Sequence, residues 1–166
     1  VGQRKGQALG TPAPDGKPRF VLEIRPKTNE VIVGSRELLS IDEIRGIRAT
    51  WAGIPVPEAE HFLAQEPKLG ARSETFDVTA QVRAHADPVR GTAHLEWAED
   101  TEDTDAETPG KLRVETVVRL HDGLFGVAPG QTMVLYQGTR VLGQSTIARA
   151  YSLAREDLDD LRENAA

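Results

Sequence analysis

Cysteine is absent from all 166 residues. That excludes a disulfide framework, thiolate-bound zinc, iron–sulfur ligation and a cysteine nucleophile within these residues. Long apolar runs are missing as well: no stretch approaches the roughly 20 residues needed to cross a bilayer. The opening, Val1-Gly2-Gln3-Arg4-Lys5-Gly6, has no apolar segment behind its charges, as a secretory leader would. The expectation is a soluble, cytoplasmic chain with no membrane partner. Aromatics are few, four Phe, two Trp and two Tyr, against 15 glycines and 10 prolines. The length fits one domain of ordinary size, or one domain plus part of another.

A dense basic face is also lacking. The formal net charge is −6, but it is unevenly divided. Seven acids between Glu96 and Glu107 carry −7 and the tail from Ser152 carries −3, which leaves +4 on the remainder. Such a body permits an RNA partner without arguing for one.

What is present is strand grammar. Residues 1–19 form a loop punctuated by Pro12, Pro14, Asp15-Gly16 and Pro18. Phe20 to Ile24 and Glu30 to Val33 are β-branched runs flanking Pro26-Lys27-Thr28-Asn29, which predicts an antiparallel hairpin. A third run, Ile44 to Trp51, places Ile47, Ala49 and Trp51 on one face. Residues 54–75 read as a loop with a helical turn at Glu58 to Gln65. Strands are then expected at Phe76–Ala84, Gly91–Trp97, Leu112–Leu120, Gln131–Tyr136 and Arg140–Ile147, with a hairpin turn at Gln137-Gly138. Short strands at such spacing predict a small closed or nearly closed sheet. In the Leu112–Leu120 run, Leu112, Val114, Thr116 and Val118 alternate with Arg113, Glu115, Val117 and Arg119, which implies one buried and one wet face. Glu96 to Glu107 reads as a solvated, mobile loop. From Ser152, an N-cap residue, Ala154, Leu158 and Leu161 make one apolar stripe on a short helix.

Catalytic signatures are wanting. Gly2, Gly6 and Gly10 beside Arg4-Lys5 match neither phosphate-loop spacing, and no strand precedes them. His61, His85, His94 and His121 are scattered. His94 and Glu96 share a strand face, but two ligands do not make a metal site. No Gly-x-Ser-x-Gly elbow occurs. The residues alone describe a β-rich binding or accessory module, with no catalytic residue and no metal.

Two stretches are more specific. Val1-Gly2-Gln3-Arg4-Lys5-Gly6, the proline-rich loop and the hairpin with Thr28-Asn29 at its turn resemble a segment of the tRNA-specific 2-thiouridylases, as does Trp51 further on. Ala128-Pro129-Gly130-Gln131, Val134-Leu135-Tyr136, Gly138 and Val141-Leu142-Gly143 with Ile147 resemble that family's closing strand pair. The order and spacing agree over roughly residues 1 to 150. Older usage calls the family tRNA (5-methylaminomethyl-2-thiouridylate)-methyltransferase. Its members adenylate the wobble uridine of certain tRNAs with ATP and replace the C2 oxygen with persulfide sulfur. The family's ATP loop and its two catalytic cysteines lie upstream of the Gly-Gln-Arg-Lys-Gly motif, and neither occurs here.

The resemblance implies a C-terminal piece that is inactive alone. Residues 1–40 would end a central domain with a hairpin, 41–150 would form a β-barrel like those of elongation factors, and 151–166 a helix. Its partners would be tRNA, the catalytic domain of the same parent chain and, through the parent, a sulfur-relay donor. ATP would be the parent's cofactor, with none in this chain. The family's tRNA-contacting Arg-aromatic pair maps onto Arg83-Ala84, where Ala84 has no ring. Gln131 matches a tRNA-contacting glutamine, although Pro129-Gly130 also makes an ordinary turn. His85, Arg4 and Lys5 complete the candidate tRNA-binding set. A barrel that contacts protein without RNA is the alternative, and a stand-alone enzyme using His and carboxylates is disfavoured by the lack of clustering. What separates the first two is whether Arg83, His85, Arg90 and Gln131 converge on one exposed face.

Overall fold

Alternating apolar residues in eight runs give eight strands among the residues that the computed structural model describes, 16–25, 28–52, 56–100 and 111–152. Arg4 and Lys5, the 153–166 tail with its expected helix, and the acidic run beyond Asp100 lie outside the described residues. β1 (Phe20–Arg25) and β2 (Glu30–Gly34) pair antiparallel. Their turn runs into β2 through Asn29 with φ 55°, a left-handed conformation that asparagine tolerates better than most residues. A 3-10 turn, Glu37–Leu39, leads into the barrel.

The barrel comprises β3 (Ile41–Trp51), β4 (Phe76–Gln81), β5 (Val89–Glu99), β6 (Leu112–Leu124), β7 (Thr132–Gln137) and β8 (Arg140–Tyr151). It closes in the order β3-β6-β5-β4-β7-β8, every pair antiparallel. Closure removes the unpaired edges that would template aggregation. Inside sit Ile44, Leu95, Val118, Met133, Leu135 and Ile147, each no more than 2% exposed. Burying each such side chain contributes roughly 1.5–3 kcal/mol. Gly46 faces this interior, where an added Cβ would collide with the Ser145 hydroxyl. α1 (Pro57–Leu63) starts on a proline, which lacks the N–H that a first helical turn leaves unpaired. It seals the core with Ala59 and Phe62, the latter ring 6.0 Å from that of Trp97.

Several strand limits differ from the sequence pattern. β4 stops at Gln81, so Arg83 and Ala84 belong to the following turn. β8 runs to Tyr151, using residues past Ile147 to pair with β3. Ile47, Ala49 and Trp51 do line one depression, yet Ile44, of opposite parity, enters the core. A bulge follows: Ile47 and Thr50 pair with Thr146 and Gln144, one extra residue on β3, taken up by Arg48 at φ 53°, so that Trp51 packs against the same core as Ile44 despite its opposite parity.

Two expectations about charge are overturned. Glu96 and Glu99 belong to β5 rather than to a mobile acidic loop, and the Asp100 amide donates to the Lys111 carbonyl at 2.8 Å. The expected wet face of β6 is partly dry, since Glu115 and Val117 are 0% and 1% exposed. The reason is a set of ion pairs on the outside of the barrel. Glu115 receives Arg149 at 2.7 Å, Arg113 at 2.8 Å and Arg45 at 3.5 Å. Glu43 meets Arg45 at 3.0 Å and Arg119 at 3.1 Å, Glu96 meets Arg72 at 3.3 Å and Arg45 at 3.5 Å, and Asp100 meets Arg113 at 3.1 Å.

Burial by itself pushes the Glu115 carboxyl up. The hydrogen bond from Arg113 and the charges of Arg149 and Arg113 outweigh it and hold the group below the usual carboxylate range. The carboxylate touches no solvent, but its cover is partly exposed guanidinium, so the low end of the range for a broken buried pair applies. Glu115→Ala is expected to cost about 3 kcal/mol in urea unfolding. Because the folded-state pKa lies below the unfolded one, the contribution is complete above the ordinary carboxylate range and fades as pH falls through the folded value. Glu115→Gln should therefore flatten the acid limb of the stability profile, and a variant whose acid limb matches the parent would remove Glu115 from its cause.

Candidate functional site

The β4–β5 turn and the loop between β6 and β7 meet on one side of the barrel. Gln81, the last residue of β4, fixes the first of these: its Oε1 accepts from the Tyr136 hydroxyl at 2.9 Å and its Nε2 donates to the Ala86 carbonyl at 2.9 Å. The Ala86 amide in turn donates to the Arg83 carbonyl at 3.2 Å. Arg83 thus leaves a pinned turn, and its Nη2 donates to the Gly126 carbonyl at 2.7 Å. Gly126 has φ +74°, and a Cβ there would collide with the Arg83 guanidinium. The positive φ is what favours glycine, since the end of a flexible side chain such as Arg83 could move aside.

Gln131 closes the second loop. Its Oε1 accepts the Ala128 amide at 2.9 Å, while the Gly130 amide donates to the Ile147 carbonyl at 2.8 Å. The side chain therefore holds the Pro129-Gly130 turn, the ordinary role its sequence context allowed. A backbone N–H can only donate, which settles the amide's orientation: the oxygen is turned to Ala128, and the two Nε2 hydrogens are left as donors.

Arg83, Ala84 and Gln131 line one shallow depression of about 350 Å³, with Gln81, Val82, Thr132 and Val134. His85 is exposed in the same turn but does not line that depression. Arg90 borders a separate one with Asp77, His121 and Tyr136. No aromatic side chain lines the Arg83 depression among the described residues. The pair His94 and Glu96 lies on the ion-pair surface, its nearest approach 3.6 Å. Burial, then the charge of Arg72, pushes the His94 imidazole below its usual value, so it is neutral at pH 7. With Arg72 and Arg45 already against Glu96, this corner is poorly suited to a cation.

Gly126 was not legible as a site residue, since its partner Arg83 lies 43 residues away. Only its position in a Gly/Pro-rich loop hinted at a special conformation.

Residues 57–147 match the family profile described as the aminomethyltransferase beta-barrel domain. The chain is 56% identical over 158 residues to the tRNA-specific 2-thiouridylase MnmA of Arthrobacter sp. (strain FB24), covering 95% of the chain and 37% of that protein. For the tRNA-specific 2-thiouridylase MnmA of Kocuria rhizophila the identity is 57% over 152 residues, 92% of the chain and 36% of the relative. For that of Clavibacter michiganensis it is 46% over 165 residues, 99% and 36%. The chain thus spans little more than a third of the length of the curated relatives it matches.

Removing the Gln131 carboxamide frees the Ala128 amide. Gln131→Ala is expected to lower stability by about 1 kcal/mol and to speed hydrogen exchange at Ala128 selectively. Unchanged exchange there would show that the turn holds without its side chain.

Proposed function

Because the chain belongs to the aminomethyltransferase beta-barrel domain family, we propose that it is the C-terminal, tRNA-holding module of an ATP-dependent enzyme that thiolates the wobble uridine of tRNA, and that it is not catalytic alone. The carrying observation is the shared depression: Arg83, Ala84 and Gln131, from two separate loops, stand together on a chain 46–57% identical to three 2-thiouridylases. In this reading residues 1–40 belong with the parent's preceding domain and the barrel begins at residue 41. The partners are tRNA and the catalytic part of the parent, which operates in the cytoplasm with a sulfur-relay donor.

Each residue has a definite task. Arg83 ties one nitrogen to Gly126, and the rest of its fork suits a phosphate, which it meets with charge. Gln131 offers neutral Nε2 donors beside it. Ala84, with no ring, leaves room beside Arg83 for the backbone of a nucleic acid, and exposed His85 stands in the same turn outside the depression. Arg4 and Lys5 would add phosphate contacts. ATP belongs to the parent's other part, for the described residues do not fit it: the first turn of α1 carries Glu58 and Glu60, which repel phosphate, and no glycine-rich loop joins a strand to it. With no cysteine, the chain also has no thiolate to carry sulfur.

A second reading, a barrel that contacts protein alone, draws support from Leu63 and Leu69, which are 41% and 55% exposed near α1.

Arg83→Ala in the chain should weaken binding of an unmodified tRNA transcript more than Gln131→Ala, since charged hydrogen bonds are worth about 1.5–3 kcal/mol and neutral ones about 0.5–1.5. The arginine change should also flatten the salt dependence by about one unit of slope, while the glutamine change leaves it. Affinity measured at two salt concentrations decides this: wild-type affinity and slope in Arg83→Ala would favour the protein-only reading. Incubated with ATP, a sulfur donor and the same transcript, the chain should form no 2-thiouridine by mass spectrometry.

A further inference from the structure

Phe125 is the residue before the glycine that Arg83 holds, and it is 42% exposed. A large apolar ring left so open needs a reason, because burying it would stabilise the fold. Its setting supplies one. The guanidinium carbon of Arg36 lies over the ring, 5.3 Å from the centroid, within range of a cation–π contact. Glu37, the neighbouring acid, is engaged by its own backbone N–H and then by Ser35, which holds its carboxyl below the usual range. Beneath the ring runs a groove of about 370 Å³ with apolar walls of Phe20, Leu22, Leu38, Ile41 and Val127. Two exposed arginines thus meet this stretch of chain, Arg36 stacked on the ring and Arg83 bonded to the backbone of the next residue.

We infer that Phe125 and Arg36 form a stacking shelf for one unpaired nucleobase of RNA, next to the Arg83 fork that takes the phosphate. This rests on the RNA-holding reading above. An unpaired base presents an apolar face flanked by a phosphate, and the site offers the complement: a part-exposed ring and the guanidinium stacked on it for the face, and the Arg83 fork bonded to the next residue for the charge. The two loops are already tethered through Gly126, so the shelf and the fork are held at a fixed relation before RNA arrives. An apolar peptide would match the groove walls but would leave two guanidinium groups without an anionic partner.

The test uses the 166-residue chain, a short single-stranded RNA carrying one 2-aminopurine, and variants whose melting temperatures are checked first. On binding the parent chain, the 2-aminopurine fluorescence should be quenched by stacking. Phe125→Leu keeps the groove apolar but removes the π-face, and should abolish the quenching and weaken affinity about tenfold, while Phe125→Trp retains both. If Phe125→Leu binds and quenches like the parent while Arg83→Ala binds more weakly, the shelf is refuted and the RNA-holding reading stands. Should the parent chain fail to bind either this RNA or the tRNA transcript, both fall together.

Discussion

A single buried carboxylate ties three strands of the barrel to one another. Glu115 of β6 draws in Arg45 from β3, Arg113 from its own strand and Arg149 from β8. The strand register makes this necessary, for it places Arg45 opposite Arg149 and Glu96 opposite Glu115. Like charges directly across a sheet repel. The pattern is tolerable only because carboxylates and guanidiniums interleave diagonally, each row of one sign lying beside the other. A slip of one residue in β6 would turn Glu115, and Arg113 with it, into the apolar interior and leave Arg45 and Arg149 without their carboxylate, so the network specifies register as well as contributing stability.

This arrangement also sets what remains for a ligand. Arg45, Arg72, Arg113, Arg119 and Arg149 face Glu43, Glu96, Asp100 and Glu115, and five charges are nearly balanced by four. That face is an internal scaffold. Outside this network, on the loops, Arg83 lies against a backbone carbonyl and Arg36 over a ring. In the proposed reading these are the arginines that meet an anion, so a mildly basic body would present its charge locally rather than as a broad patch, and recognition would depend on shape and position more than on overall field.

The barrel was legible because its signal is local. Alternation in Leu112 to Leu120 and the Gln137-Gly138 turn need only neighbours in sequence, and they delivered the strands and the fold class. What alternation cannot register is a partner from another strand. Glu115 looked solvated since it falls on the charged side of the alternation, yet arginines from β3 and β8 remove its water. Glu96 looked like part of an acidic loop for the same reason, although Arg45 and Arg72 hold it on β5. The bulge at Arg48 was invisible too, as a non-glycine residue gives no warning of a positive φ. In the candidate site, the Pro-Gly turn announced itself, but Gln131 and Arg83 were singled out through the family resemblance, and the Arg83–Gly126 bond spans 43 residues and has no local trace.

The structural and the ligand-facing roles of Arg83 and Gln131 are not rivals. Arg83 commits one donor to Gly126, and Gln131 commits its only oxygen to Ala128. Both bonds clamp the same loop, residues 126–131, and both decide which groups are left over. A guanidinium has no acceptor at all, and the carboxamide oxygen has one of its two lone pairs taken by Ala128. What the two side chains still offer is a set of donors held at the lip of one depression. In the proposed reading a ligand rich in acceptors, with oxygens spaced along a backbone, suits this lip, because the free N–H groups of Arg83 and Gln131 outnumber the one lone pair left on the Gln131 oxygen. The clamp would then do more than stabilise a turn: by turning the carboxamide oxygen inward to Ala128 it leaves the Nε2 donors for whatever binds beside it.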